Sequence, residues 1–248
     1  MQNIRHKAPR LFLDDEFSAA EVVITEREAH YLGNVLRLSH GDEIVVFNGR
    51  GQERLAAIKS LARNRSVLTI LAPVPPLAEP ELELLLIQAL IKTDAMDSVV
   101  QKAAELGVSS LFAVKTDFSV IKLNEERTEK RIAHWQKIAR SACEQSGRHR
   151  PPEISVYTSL EACLMTLEDH YLRIAFHPGA QTLLRSLKPE TAAVCLLIGP
   201  EGGFSNTDLT RIDAAGFTRI GLGPRVLRAD TAATAVCSAV QLLWGDAE

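Results

Sequence analysis

The chain has 248 residues, of which 46% are hydrophobic and 24% charged, and its formal net charge is −3 at pH 7. This composition is typical of a soluble globular protein with one large domain or two small ones, and it excludes a uniformly basic coat for nucleic acid. No run approaches the ~20 apolar residues of a membrane span, and no apolar h-region follows the basic N-terminus. We therefore expect a cytoplasmic protein without membrane contact.

Four cysteines lie far apart and form no C-x-x-C pair: Cys143, Cys163, Cys195 and Cys237. This spacing suggests neither a metal site nor a disulfide framework. We expect them to be buried as small hydrophobic residues in a reducing compartment, and we expect no metal.

The charge is unevenly distributed along the chain. Residues 127–150 carry a net charge of +5, whereas residues 73–126 carry −5. A local patch could therefore contact phosphate groups, although an amphipathic charged helix is often only a solvated surface.

Residues 1–72 predict a small antiparallel β domain or barrel. Alternating runs at 21–24, 43–49, 54–60 and 66–72 are separated by turn residues, and one short helix is expected between the first two runs. Residues 73–80 contain four prolines, which predicts a linker or, alternatively, a kinked loop inside a single domain.

From residue 81 to residue 248 the chain alternates between apolar runs and helical periodicity. Strands are expected at 84–91, 110–115, 153–157, 172–176, 194–198 and 217–222. Helices are expected at 93–106, capped by Thr93 or Asp94 and ended by Gly107, and at 125–146, 159–168, 206–215 and 230–244. Such alternation is typical of an α/β fold with a parallel sheet covered on both faces.

The segment LLIGPEGGFS, residues 196–205, ends an apolar strand in a glycine-rich turn. Ligands of parallel α/β sheets bind outside the carboxyl ends of strands, and Gly202 and Gly203 allow close backbone approach. A tight connection to a helix capped by Ser205 or Asn206 would produce the same pattern. The turn lacks the lysine of a phosphate-binding loop, and Glu201 favours a cationic or zwitterionic ligand.

A second strand ends in a similar way, within FTRIGLGPRVLRADTAATAV, residues 217–236. Gly221, Gly223 and Pro224 follow the strand, then Arg225 and Arg228, and then a helix rich in small residues. Two such strand ends in one sheet would form opposite walls of one cleft.

These two segments resemble the signature pair of the RsmE family, within the SPOUT class of S-adenosylmethionine-dependent RNA methyltransferases. Further matches follow in chain order: HYLGNVLRLSHGD, QKAAELGV, WQKIARSACEQSGRHRPPEI and FHPGA. The resemblance implies a C-terminal α/β SPOUT domain (81–248) with a deep trefoil knot and parallel sheet. It also implies an N-terminal PUA-like β-barrel for RNA binding (1–72), and a homodimer.

The resemblance implies that the knot loops bind S-adenosyl-L-methionine through Ile198, Gly199, Glu201, Gly202, Gly203, Leu222, Gly223 and Leu227. Arg228 could stabilise charge on a uracil oxygen, and Asp230 is a candidate base. Phosphate contact is an equal alternative for Arg228, and Asp230 could instead be a carboxylate that stabilises a helix N-terminus. Many relatives have Thr-Glu-Thr where this chain has Ala229-Asp230-Thr231.

Contacts with RNA are expected from six arginines: Arg10, Arg37, Arg140, Arg148, Arg150 and Arg225. We therefore expect a methyltransferase that modifies N3 of a specific uridine in 16S rRNA, within the assembled small ribosomal subunit. The alternatives are a SPOUT methyltransferase of another rRNA or tRNA position, and a non-catalytic RNA-binding module of ribosome assembly.

Overall fold

The computed structural model describes residues 8–62, 65–75, 77–119 and 125–247. Residues 1–7 and 63–64 of the expected N-terminal domain, residue 76 of the linker, and residues 120–124 and 248 of the expected C-terminal domain lie outside these ranges. The chain divides into two compact units, Met1–Glu79 with Cys143–Arg150 and Pro80–Ala142 with Pro151–Glu248. Residues 143–150, which we expected in the C-terminal domain, therefore group with the first unit. No helix in the described ranges is long and apolar enough to cross a bilayer.

The first unit contains a five-stranded sheet: β1 (Arg10–Phe12), β2 (Glu21–Ile24), β3 (Glu43–Phe47), β4 (Glu53–Ser60) and β5 (Ser66–Pro73). The order is β1-β3-β4-β5-β2, with β1 parallel to β3 and the other pairs antiparallel. The four predicted strands are confirmed. Strand β1 was not predicted because three residues are too short to display alternation.

The short helix predicted between β2 and β3 is confirmed, and its second half is π-helical. Helix α1 spans Glu26–His30, begins with a capping box between Thr25 and Glu28, and continues as a π-helical turn over Tyr31–Val35. Arg37 then adopts a left-handed conformation with φ of 58°. The chain leaves the helix there because a left-handed residue cannot extend a right-handed helix.

The second unit contains a six-stranded sheet in which every pair is parallel, as predicted: β6 (Glu83–Ala89), β7 (Ser110–Val114), β8 (Glu153–Tyr157), β9 (Leu172–Phe176), β10 (Ala193–Ile198) and β11 (Thr218–Ile220). The order is β11-β9-β10-β6-β7-β8. Strands β6 and β10 are central and buried along almost their whole length. This double burial explains their continuous apolar sequences.

Within the described ranges, four helices connect these strands: α2 (Thr93–Glu105), α3 (Glu125–Ser146), α4 (Leu160–Leu164) and α5 (Asn206–Ala214). A fifth helix, α6 (Ala229–Trp244), follows β11. A single 3₁₀ turn, Leu184–Ser186, precedes β10. Residues of α4 and α5 share an apolar cluster with Leu85, Ile87, Cys195 and Leu197 of the sheet. Helix α6 packs against α2 and against β10. Helix α4 is shorter than predicted, and the Thr166 hydroxyl closes its end by donating to the Cys163 carbonyl, 2.8 Å away.

All four cysteines are buried and reduced. Burial raises the pKa of the Cys143, Cys163 and Cys237 thiols to about 12, because the thiolate would lose its hydration. The expectation that the cysteines act as buried hydrophobic residues is confirmed.

Candidate functional site

The two loops predicted to bind a ligand, which follow β10 and β11, leave the same edge of the parallel sheet. Ile198 ends β10 and is 2% exposed, and Ile220 ends β11 and is fully buried. Strand β9 lies between them, so the two strand ends are separated by ~10 Å, twice the strand spacing. The predicted cofactor-binding residues therefore lie at one edge of the sheet, in the last residue of β10 and in the two loops that follow β10 and β11.

The first loop, Gly199–Ser205, is called the glycine loop below. The Gly203 backbone N–H donates to the Pro200 carbonyl at 2.9 Å, and Gly203 has φ of 72°. A Cβ at Gly203 would have no neighbour within 4 Å, whereas one at Gly202 would lie 3.2 Å from Cβ of Phe118. Gly203 thus combines a backbone conformation that favours glycine with open space beside it.

The carboxylate of the glycine loop lies at the start of a neighbouring helix. Oε1 of Glu201 is 3.4 Å from the backbone nitrogen of Lys92, the N-cap residue of α2. A negative charge there stabilises the helix dipole. The prediction that Thr93 or Asp94 caps α2 is wrong, since both lie inside the helix and Lys92 precedes it.

The glycine loop is also fixed to the segment that follows β7. Ser205 and Asp208 form the capping box of α5, as the sequence suggested for Ser205, and Asp208 is 1% exposed. Oδ2 of Asp208 also accepts from the Asp117 backbone N–H at 3.3 Å, and the Ser205 hydroxyl donates to the Asp117 carboxylate. Phe118 follows, with half of its surface exposed.

Sequence reasoning missed Asp117 and Phe118. Both lie more than 80 positions before the glycine loop, so no local motif joins them to it. They could have been found from their position just after the strand predicted at 110–115, because the carboxyl ends of all parallel strands lie at the same edge of the sheet.

The second loop, Gly221–Arg228, is called the arginine loop below. Gly223 has φ of 82° with open space at its Cβ position, and Arg225 and Arg228 are exposed. The loop starts from a junction in which the His177 N–H donates to the Ile220 carbonyl at 3.0 Å. Two exposed cations therefore stand at the edge where the glycine loop lies.

Arg228 is the N-cap residue of α6, and Asp230 lies in the first turn of that helix. This position suits the structural alternative for Asp230, a carboxylate that stabilises the helix N-terminus. A role as proton acceptor stays a prediction. Leu222 and Leu227 lie in the same loop and are half-buried.

Two of the six arginines expected to contact RNA are buried ion-pair partners. Arg10 is 8% exposed and donates to both carboxylate oxygens of Glu53 at 2.9 and 3.1 Å. Arg148 is 9% exposed, and its Nε donates to Glu79 at 3.0 Å. Because both guanidinium groups are shielded and neutralised, we correct their assignment to a structural role within the first unit.

The remaining arginines reach the surface to different extents. Arg37, Arg150 and Arg225 are exposed, and Arg140 on α3 is half-buried. The backbone N–H of Arg150 donates to Glu79 at 3.2 Å, and its side chain, though exposed, lies beside Gly51, with Nη2 3.5 Å from a Cβ built there.

Comparison with known proteins identifies two domain families along the chain. The family model described as RNA methyltransferase domain matches residues 78–241, and the RNA methyltransferase PUA domain matches residues 24–71. Ribosomal RNA small subunit methyltransferase E of Buchnera aphidicola subsp. Schizaphis graminum is 30% identical, over 98% of this chain and 99% of that protein. The Bacillus subtilis protein of the same name is 27% identical, over 90% of this chain and 92% of that protein.

Two solved structures are similar over the whole fold. A methyltransferase of Legionella pneumophila, in complex with S-adenosylmethionine, has a TM-score of 0.92 and 30% identity, over 97% of this chain and 100% of that one. Ribosomal RNA small subunit methyltransferase E of Neisseria gonorrhoeae, also bound to S-adenosylmethionine, has a TM-score of 0.89 and 31% identity, with the same coverage. With the glycine and arginine loops at one sheet edge and both domain families matched in order, the chain belongs to the RsmE family of RNA methyltransferases.

Proposed function

We propose that this protein transfers a methyl group from S-adenosylmethionine to N3 of a uridine in 16S rRNA of the small ribosomal subunit. The observation that carries the proposal is the pair of glycine-bearing loops at the carboxyl edge of β10 and β11. Relatives at about 30% identity carry the small-subunit name, and two similar structures hold S-adenosylmethionine.

The residues of this edge fit the methyl donor. Open space lies beside Gly203 and Gly223, so a ligand can contact the loop backbones without meeting side chains. Backbone groups between Ile198 and Gly203, and between Leu222 and Leu227, would hold the adenosine part, and Glu201 would favour the cationic part. When bound, S-adenosylmethionine supplies an activated methyl group on a sulfonium.

The arginine loop would act on the acceptor. Uracil N3 carries a proton that must leave as the N–C bond forms, and negative charge then develops on the neighbouring oxygens. Arg228, exposed at the start of α6, would stabilise this charge by a preorganised electrostatic interaction. Asp230 is the candidate acceptor for the proton, two residues along the same helix.

Binding of the RNA is assigned to both units. The N-terminal residues 1–72 would position rRNA, with residues 73–80 as a linker, and Arg37 and Arg150 would contact phosphates. Arg140 and Arg225 would contribute from the second unit. We no longer include Arg10 and Arg148, for which the buried ion pairs supply a sufficient explanation.

The proposal includes a trefoil knot in the C-terminal domain. Strand β11 is at one end of the sheet, yet α6, which follows it, packs against α2 and β10. The arginine loop must therefore carry the chain back across the carboxyl edge. This return path supports a knotted connection between the two loops.

The proposal also includes a cytoplasmic homodimer. Ala232, Ala235 and Ala239 of α6 are half-buried, and Leu242 near its end is 67% exposed. Small side chains allow close helix approach, so this face supports pairing with a second copy through α6.

The test is transfer of labelled methyl from S-adenosylmethionine to small subunits purified from a strain that lacks this protein, followed by nucleoside analysis. Label in N3-methyluridine supports the proposal. Label in a 2′-O-methylated nucleoside, or in tRNA only, would identify another target. Failure to bind S-adenosylmethionine in calorimetry would favour the non-catalytic assembly module.

A further inference from the structure

An aromatic side chain stands half in solvent beside the glycine loop. Phe118 follows β7 and is 50% exposed, and a Cβ at Gly202 would lie 3.2 Å from its Cβ and 3.7 Å from its Cδ2. We propose that Phe118 is the platform on which a base of the RNA substrate stacks during methyl transfer. This inference rests on the proposed function and adds to it a residue that contacts the substrate.

Phe118 is held in this position from both sides. Before it, Asp117 receives the Ser205 hydroxyl and donates its backbone N–H to Asp208. After it, the Ser119 N–H donates to the Thr116 carbonyl at 3.1 Å, and the Ser119 hydroxyl oxygen accepts from the Thr116 N–H at 3.1 Å. The exposed ring therefore belongs to an ordered turn that is fastened to the glycine loop.

Gly202 is the residue that permits the close approach. Its missing side chain leaves room for Cβ, Cγ and Cδ2 of Phe118 beside the loop, and half of the Phe118 surface stays exposed. The flat apolar surface is thus placed directly beside the loop that we assign to the methyl donor.

The chemistry of the substrate calls for such a surface. An enzyme that reacts at a base nitrogen must take the base out of the helical stack, and single-stranded bases in RNA are held by stacking on aromatic side chains. Phe176 and Phe204 at the same edge are 8% and 9% exposed, so neither offers a free ring face. Among the described residues of this edge, Phe118 is the phenylalanine that can stack with a base.

The test compares Phe118→Leu, which keeps apolar volume, with Phe118→Tyr, which keeps the aromatic ring. Methyl transfer to small subunits gives KM and kcat, calorimetry gives the affinity for S-adenosylmethionine, and light scattering gives the mass in solution. Met165→Ala is the matched control, because Met165 is 82% exposed and follows α4, outside both the glycine loop and the arginine loop.

We expect Phe118→Leu to raise KM for small subunits about 10-fold or more, the loss that removal of one base stack causes, with unchanged cofactor affinity and mass. Phe118→Tyr and Met165→Ala should both keep the wild-type KM for small subunits. An unchanged KM in Phe118→Leu overturns the inference. Weaker S-adenosylmethionine binding in Phe118→Leu would indicate that the ring contacts the adenine of the cofactor. An altered mass would indicate that the ring contacts a second subunit. Either result would also overturn the inference. If the wild-type protein transfers no methyl group to rRNA, the proposed function fails, and this inference fails with it.

Discussion

Gly221 and Ala180 are in direct backbone contact: a Cβ built on Gly221 would lie 2.6 Å from the Ala180 carbonyl oxygen. The two segments are also joined by a bridge between Thr182 and Ile220. The arginine loop therefore starts from a junction that only a residue without a side chain can form.

Gly221→Ala should destabilise this junction, because the carbonyl of Ala180 is backbone and cannot move aside alone. We expect a decrease of about 1–3 kcal/mol in the free energy of unfolding, measured by urea titration. Gly179→Ala is the control, since Gly179 has φ of 84° but open space, and should lose only about 1 kcal/mol. Equal stability of Gly221→Ala and the wild type would contradict the contact.

Gly203→Ala should weaken S-adenosylmethionine binding measured by calorimetry, because the new methyl group would occupy the space that we assign to the ligand. Gly216 provides a matched control: it has φ of 76°, also has open space, and follows α5 at the opposite edge. Both variants carry the same backbone strain, of about 1 kcal/mol. Equal affinity in the two variants would remove Gly203 from the site.

Arg148→Ala should change the stability of the protein, whereas Arg150→Ala should change its binding to RNA. Arg148→Ala leaves the carboxylate of Glu79 without its main partner and should lower the free energy of unfolding by about 3 kcal/mol. Arg150→Ala should leave stability almost unchanged and reduce the slope of log K against log salt for rRNA by about 0.7–0.9, one phosphate contact. Thermal melting of each variant checks the predicted stability, and rRNA binding at several salt concentrations checks the predicted slope. A reduced slope for a fully folded Arg148→Ala would restore that residue to the RNA surface.

The stability of the protein should depend on the protonation of His149. Burial lowers the pKa of His149 below its ordinary value of 6.5; Glu79 and Glu53 oppose this effect, whereas Arg150 and Arg148 reinforce it. The unfolded chain therefore takes up a proton at higher pH than the folded chain. The free energy of unfolding should fall as the pH drops below about 6.5, and level off below the folded pKa.

Urea titrations of the wild type and His149→Gln between pH 5 and pH 8 check this dependence. The variant should lose part of the slope, at most about 1.4 kcal/mol per pH unit. Identical slopes in the two proteins would show that His149 does not contribute.

The parallel sheet was predictable because its central strands are buried on both faces, and LLLIQALI and VCLLI record that burial in sequence. The two loops were predictable because glycines directly follow strands. The short β1 was not, since three residues cannot display alternation, and neither were the π-helical turn after α1 nor Arg37, which adopts a left-handed conformation that glycine usually occupies.

The RNA surface was only partly predictable. Charge counting treats Arg148 and Arg150 alike, whereas the fold buries the first against Glu79 and exposes the second. Pairing between residues 69 positions apart leaves no local pattern. Phe118 shows the reverse error. From sequence alone a phenylalanine is expected in the core, whereas the structure leaves half of this one exposed.

The most direct test of the account is a crystal structure of this protein with S-adenosylmethionine. We expect the adenosine part against the backbones of Gly199–Gly203 and Leu222–Leu227, with the methyl group facing the side of Arg228. Cofactor bound elsewhere, with both loops unoccupied, would contradict the assignment of the glycine loop and the mechanism that depends on it.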